Sequence, residues 1–534
     1  MDRRFAALIA SLVLVFSLTA GLARADPVKL NAPLAEGQSV GYNFIPDINL
    51  LPVSPDGWWV VYDTVDDQGA PTNTYFALTT GWLTAPLYPE GYQALPNHPG
   101  AFSPNGLWFV NALMDASGNY GLYSCLFPPL LGEPVRVSPA MDFSAYNATF
   151  TVSPDSRRVL YTADLETEQV NDLYSVPIWG GTPTKINPPL ASGQTVKNSY
   201  MLSPTGGRVV FSVGQVNENF RTGIYSAPIA GGTVITLDET PGPEDGARPL
   251  LITSDGQRVI YTTPAGTFSQ SITGGAPILL IPDESMTLSA IAPLNAIPTD
   301  PTWPRLRLSP DGHWLVYLGR GDDYATREIF AVPVTGGTPL RLNLPFVPGT
   351  YRPDVQDYFQ ITPDSDHVIF IARDPEATDS SRGIFSVDIT GGTPIMLGKS
   401  FTIGYGSYFE VTPDSSRVVG SFNIDGAKKL ASVPVSGGTL AMLSNSGQFF
   451  ITPDSRWLVV LSTEPVVSTR PNIYRAPVQG GNLELLSSNV GATGIIKGTF
   501  VMTPRGHRAL YCLGGPGGAP VELYAAQIPP WLPF

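Results

Sequence analysis

The chain has 534 residues, 31 basic against 45 acidic side chains, a formal charge of −14 and two cysteines. That balance excludes the basic footprint that nucleic-acid phosphates require, and two cysteines exclude a disulfide-dense scaffold or a four-thiolate zinc site. With 54 glycines and 53 prolines long helices are disfavoured, while a 43% hydrophobic and 10% aromatic content suffices for a packed core.

At the N-terminus, Arg3 and Arg4 precede an apolar stretch from Phe5 to about Leu18, and Ala23-Arg24-Ala25 follows. A charged start, a short apolar run and small residues around a cut site read as an export signal, so residues 1–25 are expected to be removed, with Asp26 beginning the mature chain. The apolar run falls short of the ~20 residues of a spanning helix. The mature protein is therefore expected in the periplasm or outside the cell, as a monomer without stable membrane insertion. Cys125 and Cys512 each sit in an apolar, strand-like run and are expected to be two separate buried thiols.

Next comes Pro-Val-Lys-Leu-Asn-Ala-Pro-Leu-Ala-Glu-Gly-Gln-Ser-Val from Pro27 to Val40, closely matched by Pro-Thr-Lys-Ile-Asn-Pro-Pro-Leu-Ala-Ser-Gly-Gln-Thr-Val from Pro183 to Val196. The explanation lies in an internal repeat. A Ser/Thr-Pro-Asp-Gly-like tetrapeptide begins at Ser54, Ser103, Ser153, Ser203, Thr253, Ser309, Thr362, Thr412, Thr452 and Thr503. Its second residue is Pro in every copy but one, where Ser254 stands, and its fourth is Gly or Ser in all ten. Pro presets φ, Asp bonds back to the chain and Gly accepts a left-handed conformation, so each copy predicts a tight turn.

Each turn leads into a short β-branched and aromatic run such as Val159–Tyr161 or Trp314–Tyr317, read as a buried strand. A polar loop of variable length and a second strand follow, the latter ending near a Gly-Gly turn in seven copies, as at Gly180-Gly181. A third strand (Thr184–Ile186, Leu340–Leu342) and an aromatic fourth (Phe150, Tyr200, Phe359, Phe409) lead into the next turn. Four short antiparallel strands every ~50 residues describe the blade of an all-β propeller. The sixth residue from each turn's start is always Arg, Trp or His, placed to lie over the turn or meet its carboxylate. Recurrence in every unit favours a structural lock over a row of binding groups.

Pro183–Val196 is an outer strand plus the link to the next unit, so Pro27–Val40 supplies an outer strand with no earlier unit to own it. The last unit runs through Val521–Ile528 and stops at Pro529-Pro530-Trp531. The spare strand thus completes the last unit, predicting residues 26–534 as one closed ring of ten blades, with two smaller rings as the alternative. Pro-Asp and Gly-Gly turns share one end of the sheets; hairpin loops and unit links share the other, where binding residues are expected. Several of these loops are acidic, at Asp66 and Asp67, Asp164 and Glu166, Asp322 and Asp323, and Asp374 and Glu376. They predict either a solvated face or a rim for a cationic partner or calcium, although no spacing matches a calcium loop.

Ser153–Thr184 resembles the repeat of the TolB-like (PD40, WD40-like) propeller family, and the resemblance extends over about residues 27–534. It implies exported proteins that mostly bind other proteins, and propellers attached to serine peptidases. This chain shows neither the α/β domain expected before the propeller of TolB nor a hydrolase domain. No Gly-x-Ser-x-Gly elbow is present. His313, His367 and His507 fall in three different units and His98 in a linking loop, which disfavours a histidine metal site. Arg320-Gly321-Asp322 is a tripeptide that recurs by chance. No cofactor is expected. Two readings stay open: an exported, non-enzymatic scaffold whose variable loops bind a protein, peptide or glycan, and a channel-centred enzyme such as a lyase or glycosidase.

Overall fold

In each repeat the tetrapeptide closes on itself. The first residue's carbonyl accepts the N–H of the fourth at 2.7–2.8 Å in all ten copies, from Gly57 onto Ser54 to Gly506 onto Thr503. In the seven copies whose third residue is Asp, the first residue's hydroxyl donates to that carboxylate, as from Ser153 to Asp155 and Thr362 to Asp364, both at 2.6 Å. The same hydroxyl accepts the N–H of the sixth residue, as from Arg158 and His367 at 2.9 Å. The fourth residue takes a left-handed φ between 61° and 78°, which explains the glycines there. With these groups satisfied locally, the chain reverses into a strand pair.

The structure is a computed structural model that describes residues 26–41, 52–68, 71–95, 100–128, 133–140, 149–198, 200–216, 221–241, 248–282, 306–320, 327–345, 354–376, 381–400, 409–445, 447–463, 471–488, 494–514 and 521–528. The signal segment, His98, Gly321, Asp322 and Asp323 lie outside the described residues. Those described form 42 strands and no helix, and no helix among them is long and apolar enough to cross a membrane.

All strand pairs are antiparallel, and the sheets follow the repeat. Phe150–Val152, Arg158–Thr167, Val170–Pro177 and Thr184–Lys185 lie side by side in that order: an entry strand, two long strands and a short outer one. The same plan recurs along the chain and gives nine sheets, because the repeats beginning at Thr362 and Thr412 share one eight-stranded sheet through a single pairing of Ser400 with Phe422. The fold is thus all-β, built from repeated four-stranded antiparallel sheets, and consistent with a β-propeller. All seven Gly-Gly turns have both glycines at positive φ.

The core lies between successive sheets. Val110, Ala112 and Leu122 of one repeat pack against Val159, Tyr161 and Val176 of the next. Val60, Tyr62 and Ala77 of the first repeat pack against Leu510, Cys512 and Leu523 of the last. Fully buried rings such as Tyr161, Phe211, Tyr261 and Tyr511 each contribute roughly 1.5–3 kcal/mol. Cys125 and Cys512 are free and buried on different sheets, and burial pushes both thiols up to about 12.

The fourth residue of each turn meets the preceding repeat's turn. Where it is serine, its hydroxyl accepts an N–H across the gap: Ser156 from Asn105, Ser365 from Asp311, Ser415 from Asp364 and Ser455 from Asp414, at 2.9–3.0 Å. Where it is glycine, an added Cβ would touch the neighbour: Gly106 meets Pro55, Gly206 meets Asp155, Gly256 meets Ser203, Gly312 meets Ser254 and Gly506 meets Pro453. Gly57 of the first repeat meets Thr503 and Pro504 of the last.

The N-terminal strand joins the last sheet, with Val28 opposite Ala525 and Lys29 opposite Tyr524. Beyond it, Asn31 accepts the Leu523 N–H at 2.9 Å, as Asn187 accepts that of Leu173 at 2.8 Å. Gln38 accepts from the Ala35 N–H and Gln194 from the Ala191 N–H, both at 3.1 Å. The sequence match between the two stretches is therefore a match of hydrogen bonds.

Candidate functional site

At the turn end, sixth-place arginines feel the turn's carboxylate through charge, as Arg158 does that of Asp155, but hydrogen-bond elsewhere. The guanidinium of Arg158 crosses to the neighbouring long strand, where Nε donates to Ser175 Oγ at 2.6 Å and Nη2 to its carbonyl at 3.2 Å. Arg258 holds Ser269, and Arg417 holds Ser432, in the same way. On a pleated sheet a long side chain reaches its diagonal cross-strand neighbour more readily than the turn behind it. Trp59 packs on Phe76 and Phe127, and the Trp457 ring carries the Arg475 guanidinium at 4.1 Å. His313, His367 and His507 stand by the turns of three separate repeats, His313 exposed with Nδ1 3.1 Å from Asp311.

At the loop end the acidic residues divide. Asp66 accepts the Gln68 N–H at 3.0 Å beside exposed Asp67. Asp164 accepts the Gln169 N–H at 3.4 Å, and Glu166 pairs with Lys185 at 2.9 Å. Lys185 also meets buried Asp172 at 2.8 Å. Asp374 is buried, accepts the Glu376 N–H at 3.0 Å and lies 3.9 Å from Lys399, whereas Glu376 is exposed. Each pair thus sits together on its own hairpin. Asp322 and Asp323 lie outside the described residues. No group of three or more His, Cys, Asp or Glu that could hold a metal ion forms among the described residues.

A third set went unread in the sequence. Two residues before each turn, on the entry strand, the ten positions are Pro52, Ala101, Thr151, Met201, Leu251, Arg307, Gln360, Glu410, Phe450 and Val501. Arg307, Gln360 and Glu410 follow one another in consecutive repeats. Gln360 Oε1 accepts the Val411 N–H at 3.0 Å, Gln360 Nε2 donates to the Tyr358 hydroxyl, and that hydroxyl donates to the Phe409 carbonyl at 3.0 Å. The Arg307 guanidinium lies 5.8 Å from the centre of the Phe359 ring, and its buried Nε has no acceptor among the described residues. Burial lowers the Arg307 pKa, and burial alone raises the Glu410 carboxyl to about 7. Aligning the repeats on their turns would have exposed this run of three polar residues in a column otherwise mostly apolar.

No family model matches the chain, and no curated protein matches it. Several solved structures are similar at low identity. A eukaryotic initiation factor is 14% identical over 80% of this chain and 99% of its own, with a TM-score of 0.42. An oligogalacturonate lyase from Vibrio parahaemolyticus is 11% identical over 95% of this chain and 99% of its own, with a TM-score of 0.35. A TolB candidate from Agrobacterium tumefaciens is 18% identical over 61% of this chain and 85% of its own, with a TM-score of 0.22. At such scores none of them carries an argument about function.

Proposed function

We propose that this chain is an exported binding protein, a single ring of ten blades whose loop end engages a protein, peptide or glycan. The carrying observation is the contrast between the two ends of every sheet. At the turn end, hydroxyls, carboxylates and guanidinium groups are taken up by the scaffold itself. At the loop end, exposed acids such as Asp67, Glu168 and Glu376 stand on segments that differ from repeat to repeat. Variable loops on a rigid frame are where binding residues concentrate, and the exposed acids suit a cationic partner or calcium. The cycle of turn contacts, returning from Gly57 to Thr503, supports one ring of ten. Pairing of Val28–Lys29 with the last sheet supports closure by the N-terminal strand. The charged and apolar pattern of residues 1–25 supports export. A lyase or glycosidase reading asks for two converging carboxylates, and the entry-strand arc offers one, Glu410.

The test is affinity capture from the native exported fraction with the mature chain, repeated with Asp66, Asp67, Asp164, Glu166, Asp322, Asp323 and Glu376 changed to alanine loop by loop. Loss of a captured partner on neutralising one or more loops is the expected outcome. Unchanged capture by every variant would sink the acidic rim.

A further inference from the structure

We infer that the arc of Arg307, Gln360 and Glu410 is a binding site for a small zwitterion, an amino acid or dipeptide, whose carboxylate meets Arg307 and whose ammonium meets Glu410. Three observations carry it. The middle of the arc is already bonded: the Gln360 amide is engaged by Tyr358 and by the Val411 N–H, and Tyr358 is held on the Phe409 carbonyl. These bonds pin two neighbouring entry strands together and fix the frame on which the outer two groups stand. Among the described residues neither outer group forms an ion pair: Arg307 keeps a buried Nε without an acceptor, over an aromatic face. Glu410 owes its shift to burial alone, with no hydrogen bond or nearby charge contributing. Charged groups at this register are also confined: of the ten positions only Arg307 and Glu410 carry charge, with Leu251 in the repeat before and Phe450 in the repeat after.

Desolvated charges without partners are costly, and a ligand that supplies both counter-charges recovers that cost through charge-assisted hydrogen bonds. A cation and a carboxylate of the protein, flanked by apolar side chains, select a ligand bearing the opposite pair. The site uses three consecutive repeats and stands whether or not the ring closes. It also lies apart from the acidic hairpins, so failure of loop-dependent capture and failure of this site are read separately.

The experiment is calorimetric titration of the mature chain with the common amino acids and a panel of dipeptides with free ends, alongside amidated and N-acetylated forms and acetate. Saturable binding of at least one zwitterion is expected, weakened at least about tenfold by Arg307→Gln and by amidation, and similarly by Glu410→Gln and by acetylation. Arg307→Lys keeps the charge and is expected to bind between the wild type and Arg307→Gln, with all variants melting as cooperative folded proteins. Absence of binding by every zwitterion would overturn the assignment. So would Arg307→Gln binding as wild type does, or acetate binding as tightly as the best dipeptide.

Discussion

The two ends of the sheets are made from the same strands yet obey different rules. At the turn end, ten copies repeat one hydrogen-bond pattern, and each copy's fourth residue fits against its neighbour's turn. At the loop end, one hairpin is the two-residue connection at Asp425-Gly426 and others carry acidic residues, whose bonds at Asp66, Asp164, Glu166 and Asp374 stay within their own repeat. The contrast teaches that architecture is held by a few side-chain types at one end, which leaves the other end free to differ in every unit.

The largest expected effect comes from removing the N-terminal segment that joins the last sheet to the first. Deleting residues 26–40 removes the Val28–Lys29 strand together with Leu30 and Val40, each 1% exposed. Two buried aliphatic side chains and a strand's hydrogen bonds amount to on the order of 5 kcal/mol. Thermal unfolding and size-exclusion chromatography should then show a lowered melting point and association through the opened edges.

A paired glycine substitution separates the ends directly. Gly506 has φ 71°, and an added Cβ would lie 2.5 Å from Pro453 Cδ in the neighbouring turn. Gly426, on a loop-end hairpin, has φ 78° with nothing within 4 Å. Denaturant unfolding is expected to show a loss of roughly 3 kcal/mol for Gly506→Ala and about 1 kcal/mol for Gly426→Ala.

Glu410, two residues before a turn, adds a pH signature to its end of the sheet. Its folded pKa of about 7 stands above the ordinary 4.5. The folded state therefore binds the proton more tightly, and the associated stability is complete below about pH 4.5 and lost as pH rises through about 7. Melting curves from pH 4 to 8 should show this decline in the wild type and a flatter profile in Glu410→Gln. The smallest effect belongs to the loop end, where Asp67→Asn and Glu376→Gln should each change stability by less than about 0.5 kcal/mol in the same assay.

The sequence revealed the turn end because its chemistry is periodic: Pro, Asp and Gly at fixed places have one shared conformational meaning. The pairing of the N-terminal strand with the last sheet is legible for the same reason, since Pro27–Val40 copies Pro183–Val196 down to the Asn and Gln that make the same hydrogen bonds. Direction was harder to read. The sequence offers Arg158 a place over its own turn or against the turn's carboxylate, whereas its hydrogen bonds go to Ser175 across the sheet, a choice set by strand register that one strand's sequence does not display. The run of Arg307, Gln360 and Glu410 is hidden because its members are about 50 residues apart in sequence and come onto neighbouring entry strands only when successive units stand side by side. Exposure of the acidic loops was partly legible: Asp67 and Glu376 face solvent, but Asp374, equally polar in sequence, is buried beneath its own hairpin.

Electron-microscopic averages of the mature protein viewed down the ring axis decide between the proposed single ring of ten units, closed by the N-terminal strand, and any other arrangement. Ten radial densities around one channel are expected. Two separate rings, or any other number of blades in one ring, would contradict the proposal.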